Sequence, residues 1–426
     1  MMKRISSALM LATLFGALCF PSASAQGGRV WEQVVGDGFG DPNNVVLPAL
    51  TVFGDDLYLG TANTSTGAEV WRSGDGATWT QVNDDGFKDP NNLGATSMAV
   101  FGNDLYVGTG NTSTGAELWH SSRVGGPPFT DWTQVNDDGF DDASNVALIT
   151  AMTVFGGDLY VGTGNDLGTP GTGCEVWRSS DGTTWTQVNA DGFGDPNNLF
   201  ATSLAVFGGY LYVGTGNNPS SPSTGCEVWR SSDGTTWTQV NADGFGGTNS
   251  GAASMAVFGG TLYVGTRNTS GAEVWSCQTC SGTDWTQVVT GGFGDVNNNE
   301  VTSMIPFDSD LCAGASNPST ASCEVWCSGD GASWTQVNVD GFGDVGNASA
   351  STMAAFDDNL YVGTTYVGDT GGQAWRWRLS ETVGGVTFSS VDVLATVPPL
   401  AGAGLALGVA VLGGAVWYAR RRRSRV

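Results

Sequence analysis

One recurring string governs what this chain can fold into. Trp-Thr-Gln-Val, or a near variant, begins at Trp31, Trp79, Trp132, Trp185, Trp237, Trp285 and Trp334, at spacings of 48, 53, 53, 52, 48 and 49 residues. Phe-x-x-x-Leu-Tyr begins at Phe53, Phe101, Phe155, Phe207, Phe258, Phe307 and Phe356, with Cys312 in place of the Tyr after Phe307. Glu-Val-Trp or a variant ends at Trp71, Trp119, Trp177, Trp229, Trp275 and Trp326, and becomes Gln373-Ala374-Trp375 in the last copy. Seven copies of one unit fill the body of the chain, and a fixed period of this size marks a repeat architecture.

Each copy reads as four short strands. In the fourth, residues 202–207 form strand a, 211–216 strand b, 227–231 strand c and 237–241 strand d. Gly208-Gly209 and Asp233-Gly234 supply hairpin turns between alternating runs of Val, Tyr, Phe and Trp. The 65 glycines suit turn-rich β structure better than helix. Four-stranded units at this period read as propeller blades. The chain opens with a lone d-type strand at Trp31, and the seventh copy lacks one. Pairing the two closes the ring and removes the open edge. The expectation is an all-β, seven-bladed β-propeller over residues 26–380.

The c–d turn resembles the Asp-box of bacterial-neuraminidase-type propellers. It is Ser73-Gly74-Asp75-Gly76-Ala77-Thr78-Trp79 in the first copy and recurs before Trp185, Trp237 and Trp334, one residue shorter than the familiar box. The resemblance implies a structural turn, with the Asp holding turn amides and the Trp packing between strands, and no catalytic role.

The two ends read as addresses. Residues 1–25 have the form of a secretory signal: Lys3 and Arg4, an apolar stretch over 8–20, and Ala23-Ser24-Ala25 before Gln26. After a linker at 381–396, residues 397–418 are uncharged and mostly apolar, and at 1.5 Å each span about 33 Å, enough to cross a bilayer. The tail 419–426 holds five arginines, which keeps it on the cytoplasmic side. The expectation is an exported protein tethered to the membrane by a C-terminal transmembrane helix. Val397-Pro398-Pro399-Leu400 followed by Gly404-Leu405 is similar to the Ile-Pro-Thr-Leu variant of an exosortase sorting signal, departing at Pro399 and Ala401. That resemblance implies a helix removed by an exosortase; a permanent anchor is the alternative.

Charge excludes one function class. Between the ends stand nine Lys and Arg against 41 acidic residues. A phosphate backbone is tracked by clustered basic residues, so nucleic acid is not a partner. Many of the acids lie in stereotyped d–a linkers: Asp37 and Asp41, Asp85 and Asp89, Asp138 and Asp142, Asp191 and Asp195, Asp340 and Asp344. In a propeller these share a face with the b–c loops, which begin at Asn63, Asn111, Asn165, Asn217, Asn268 and Asn317. Clustered carboxylate and amide oxygens suit Ca²⁺. The competing reading is that Asp-Gly and Asn are turn formers, with the linker Phe as an anchor. An acidic surface is also what a high-salt habitat selects.

A sugar-active enzyme of the sialidase type is the rival class, and it needs an asymmetric cluster. Arg72, Arg178 and Arg230 occupy one repeated strand position, and Glu69, Glu117, Glu175, Glu227, Glu273 and Glu324 another, so both sets read as structural. Arg267 alone is out of pattern on the loop face. Long b–c loops after Asn165 and Asn217 offer a raised rim, and with Arg267 these are the candidate ligand-binding residues. Of the seven cysteines beyond the signal, Cys312 and Cys327 face each other across strands b and c and should pair, and Cys277 and Cys280 can close a small loop. Export permits disulfides. The leading expectation is a non-catalytic surface module binding a glycan or protein, with calcium assistance. A purely structural envelope protein is a further alternative.

Overall fold

The computed structural model describes residues 28–122, 132–141, 148–165, 173–217, 225–320, 322–368, 370–383 and 386–388. The expected signal (1–25), apolar segment (397–418) and Arg-rich tail (419–426) lie outside the described residues. So do Asp142, the loop 123–131 and most of the two long b–c loops. Among the described residues no helix is long and apolar enough to cross a membrane.

Strand β1 (Arg29–Val35) precedes β2 (Asn44–Phe53), β3 (Asp56–Asn63), β4 (Val70–Ser73) and β5 (Thr80–Gln81). β2 to β5 pair antiparallel in sequence order. The same ladder recurs along the chain, for example in Asn198–Phe207, Tyr210–Asn217, Val228–Ser231 and Thr238–Gln239. There the inner strand starts at Asn198, earlier than the alternation suggests. Bulges between Asn198 and Phe200 and between Ala201 and Ser203 break the two-residue period and hide the strand start. The outer strand is only two residues long.

Each second strand also bridges the first strand of the next unit, at Ala62–Gly94, Gly110–Leu148, Gly164–Phe200, Gly216–Gly251, Arg267–Glu300 and Ser316–Ser349. Thr365 bridges back to Val46, and β1 pairs with Ala374–Leu379, so the ring closes. The result is an all-β, closed, propeller-like fold. The seam is heavily bonded. Trp31 Nε1 donates to the Val337 carbonyl at 2.7 Å, and Arg376 and Arg378 both reach Glu32 Oε2, at 2.7 and 2.6 Å. Arg29 pairs with Asp308 at 2.6 Å and lies over the Phe307 ring. The stretch expected as a linker begins with a hairpin of Glu381–Val383 and Val386–Phe388.

Three devices join consecutive units. The indole N–H of Trp132, Trp185, Trp237 and Trp285 donates to a valine carbonyl of the preceding unit's outer strand, at 2.5 to 2.8 Å. The linker Phe (Phe39, Phe87, Phe140, Phe193, Phe245, Phe293, Phe342) has φ between 56° and 65°, left-handed backbone that costs a bulky residue about 1–2 kcal/mol. It is held there by stacking on the Glu-Val-Trp indole of the next unit, with ring centroids 4.3 to 5.2 Å apart. Third, the second-strand Tyr reaches into the neighbouring c–d turn. A Cβ on Gly76, Gly182, Gly234 or Gly331 would fall on the hydroxyl of Tyr361, Tyr106, Tyr160 or Tyr263 respectively.

The exception to that third device explains a cysteine. The unit after Cys312 takes its outer strand from β1 and has no c–d turn to receive a Tyr. Cys312 instead faces Cys327 across the strands and forms a disulfide, as the sequence indicates. Cys277 and Cys280 also form a disulfide, in the short loop that replaces one c–d turn. Cys174, Cys226 and Cys323 are free and buried, in the position held by Ala68 and Ala272 elsewhere: each donates its amide to a linker Asn carbonyl. Burial pushes all three thiols well above the usual range.

The Tyr latch gives a test. Gly182→Ala adds a methyl against Tyr106 at φ 79°, and the expected loss is about 2–4 kcal/mol. Gly157→Ala, at φ 93° with open space around it, should lose only about 1 kcal/mol. Urea unfolding of both variants measures the difference, and equal losses would remove the latch.

Candidate functional site

The linker Asp and Asn residues and the b–c Asn residues do lie together, and hydrogen bonds between them show what they do. In the first unit Asn44 is fully buried and donates to the Gly38 carbonyl at 2.9 Å and to Glu69 Oε2 at 2.8 Å. Glu69 Oε2 also accepts the Trp71 indole N–H at 2.8 Å. Asn63 donates to Asn44 Oδ1 and to Asp41 Oδ2, while its own Oδ1 accepts the Ser65 and Thr66 amides. Asp41 Oδ1 takes the Asn43 amide and side chain. Asp89, Asn91, Asn92, Asn111, Glu117 and Trp119 repeat the arrangement.

The first Asp of several linkers is occupied as well. Asp85, Asp138, Asp191 and Asp340 accept from Gln81, Gln134, Gln187 and Gln336 of the Trp-Thr-Gln-Val string, at 2.7 to 2.8 Å. Asp37 opens its linker at φ 50°. Asp195 accepts from Asn197, and Asp344 from the Gly346 amide and Gln373. Ca²⁺ takes six to eight oxygen ligands, and the groups that reach the carboxylate oxygens named here are N–H donors. Among the described residues no group of three or more His, Cys, Asp or Glu is placed to hold a metal. The Asp-Gly and Asn residues behave as turn and joint formers.

The repeated Glu is a hydrogen-bond acceptor. Burial raises the carboxyls of Glu69, Glu117, Glu227 and Glu324, against the donors that bond them. The last unit has Gln373 at this position, and its Oε1 accepts the same two donors, Asn347 at 2.9 Å and the Trp375 indole at 3.1 Å. An amide performs the function there, so proton exchange is not the function. The c-strand cations are likewise engaged, within their own units or, for Arg230, also with the Thr279 and Cys280 carbonyls of the next. Arg72 meets Asp56 at 2.7 Å, Arg178 bonds Asp158 at 2.6 Å, His120 sits 3.3 Å from Asp104, and Arg230 lies over the Tyr210 ring. No cluster of arginines arises from them.

Two ligand candidates change role. Asn165 and Asn217 are fully buried and close the bases of the long loops, donating to the carbonyls of Gly173 and Gly225 at 2.7 and 3.0 Å. The sequence marks loop starts but not which way the amide turns. Arg267 differs: its side chain is 27% exposed and it pairs at 3.3 Å with Glu300, a residue outside every repeat motif and so without a sequence signal.

At the c–d turns Asp75 Oδ1 accepts the Ala77 and Thr78 amides, and Oδ2 the Thr78 hydroxyl. Asp181, Asp233 and Asp330 do the same. The Thr78 and Ala77 amides hold the Asp75 carboxyl down to about 2.

No protein-family model matches the sequence, and no curated protein compared with it does. Solved structures are similar in fold. The WD40 β-propeller domain of Doa1 superposes with a TM-score of 0.53 at 10% identity, covering 82% of this chain and 97% of that one. Puromycin hydrolase gives 0.52 at 12% identity, covering 80% of this chain and 53% of that one. Trypanosoma rangeli sialidase gives 0.42 at 14% identity, covering 84% and 60%, too low a score to carry an argument. At these identities the likeness shows a propeller fold and nothing of activity.

Two predictions follow the geometry. Glu117→Gln should keep stability within about 1 kcal/mol of the parent, whereas Glu117→Ala, which strands two buried donors, should lose about 2–4 kcal/mol. Chemical denaturation compares them, and a Gln variant as damaged as the Ala one would restore a role for the charge. For the turn Asp residues, a carboxyl lowered on folding stabilises above its unfolded value of about 3.9 and ceases to do so as pH falls towards 2. The raised Glu carboxyls act oppositely, since protonating them removes a cost of burial. The thermal midpoint should therefore hold from pH 7 to about 4 and drop below it; a decline already complete by pH 5 would contradict this.

Proposed function

We propose that this chain is an exported, membrane-tethered, seven-bladed propeller serving as a non-catalytic recognition module for a glycan or protein at the cell surface. One observation carries the reading. The polar residues that recur from unit to unit are engaged in bonding within and between units. Chemistry for a partner therefore resides where the repetition fails. The seven sets of markers and seven bridging joints favour seven blades, with β1 as the missing outer strand of the last. The signal-like start and the apolar, Arg-flanked end favour export and tethering, permanent or cut by an exosortase.

Most of the linker carboxylates described accept N–H donors, so this reading does not call on calcium.

The test uses the full-length protein in its host membrane. Protease added to intact cells should cut the propeller and spare the Arg-rich tail if the helix is retained. Detergent-solubilised protein should bind a glycan or protein extracted from the same cell surface, unaffected by EDTA, and should not hydrolyse fluorogenic sialosides or hexosides. Hydrolysis above the buffer rate would replace the module by an enzyme, and a propeller protected inside intact cells would overturn the export.

A further inference from the structure

The bridges between units, with the pairings inside them, form a belt of fourteen cross-strand neighbours around the closed inner ring. These residues sit where the first strands begin and the second strands end, at the mouth of the ring on the loop face. Thirteen of the fourteen are not aromatic and twelve are uncharged. The exceptions fall within one run of five positions. The belt runs from Gly164 to Phe200, Gly216, Gly251, Arg267 and Glu300, each paired with the next. Elsewhere the positions hold Gly, Ala, Ser, Thr, Val and Leu.

The local space is built around this order. A Cβ on Gly164 would run into the Phe200 ring, and one on Gly216 would come within 3.5 Å of Phe200 Cβ. A Cβ on Gly251 would lie 3.3 Å from Arg267 Cβ and 3.5 Å from its Nη2. Glycine therefore leaves a step without side chains between an aromatic ring and an ion pair. Phe200 to Arg267 is three strand spacings, about 14 Å at 4.8 Å each. Cross-strand neighbours project to the same side of a sheet, and Phe200, Arg267 and Glu300 are all partly exposed. Arg267 Nε is buried without a hydrogen bond, and its charge partner among the described residues is Glu300, at 3.3 Å.

From this we infer that the Phe200-to-Glu300 segment of the belt is a subsite for a neutral, hydroxyl-rich saccharide. The inference rests on the recognition reading above and gives it a place and a ligand class. An aromatic ring accepts the C–H face of a sugar, a carboxylate accepts from its hydroxyls, and the guanidinium beside it donates to them. The glycine step between them admits a flat ring. Charge selects against acidic sugars: Glu300 neutralises Arg267, and the surrounding body carries 41 acidic residues against nine basic ones.

The experiment is binding of detergent-solubilised full-length protein to an array of immobilised neutral oligosaccharides (glucans, mannans, galactans) alongside alginate and polygalacturonate as anionic probes. The parent should bind one or more neutral glycans and neither anionic one. Phe200→Ala, Glu300→Gln and Arg267→Gln should each weaken that binding at least ten-fold, while Val154→Ser, on a first strand near its a–b turn, should leave it unchanged. Thermal unfolding checks that each variant folds; if Phe200→Ala does not, the two charge variants still decide. Parent binding that survives all three substitutions would overturn this subsite and leave the recognition reading standing. Binding of anionic glycans alone would overturn the ligand class, and capture of no glycan would overturn the subsite and leave protein ligands as the recognition reading.

Discussion

The packing of Trp and Phe rings at every joint is the interaction on which the rest of the ring depends. Five of the outer-strand indoles, Trp31 at the seam among them, also donate to the preceding unit's valine carbonyl. Beside them the linker Phe occupies left-handed backbone because its ring lies flat on the next indole. A single unit cannot satisfy these groups alone, since donor and acceptor belong to different copies. Stability is therefore a property of neighbours in contact. The same dependence explains why the chain ends are so densely tied, with Arg29, Glu32, Arg376 and Arg378 all engaged where the last unit borrows β1.

The acidic composition looks different once its placement is known. Most of the linker and turn carboxylates accept N–H groups that would otherwise be orphaned in tight turns, and buried polar groups without partners are costly. A chain built from short strands and many turns exposes many such amides. Asp and Asn are the compact side chains that can reach them. The high count of acids thus follows largely from the architecture, which uses them to hold the turns of a polar loop face.

Symmetry also sorts structure from recognition. Gln373 standing where six units have Glu shows that the repeated acceptor needs no charge. Cys312 standing where six units have Tyr marks the one joint with no turn to receive it. Those departures are accounted for by the seam. Phe200, Arg267 and Glu300 are departures that the seam does not account for, and they fall within one run of five belt positions.

Much of this was legible in the sequence. The period located every unit, the lone first Trp strand announced closure, the Cys312–Cys327 pair followed from strand spacing, and Cys277 and Cys280 stood close enough to close a small loop. These depend on local pattern, which a repeat multiplies. The role of the Asp and Asn residues was not legible, because a carboxylate that binds calcium and one that binds amides have the same letters. The buried turn of Asn165 and Asn217 was hidden for the same reason. Strand starts were obscured by bulges that break alternation. The Phe200-to-Glu300 neighbourhood could not be read at all. Its members lie up to 100 positions apart and meet only because successive strands fall into one register, which is a decision of the closed ring.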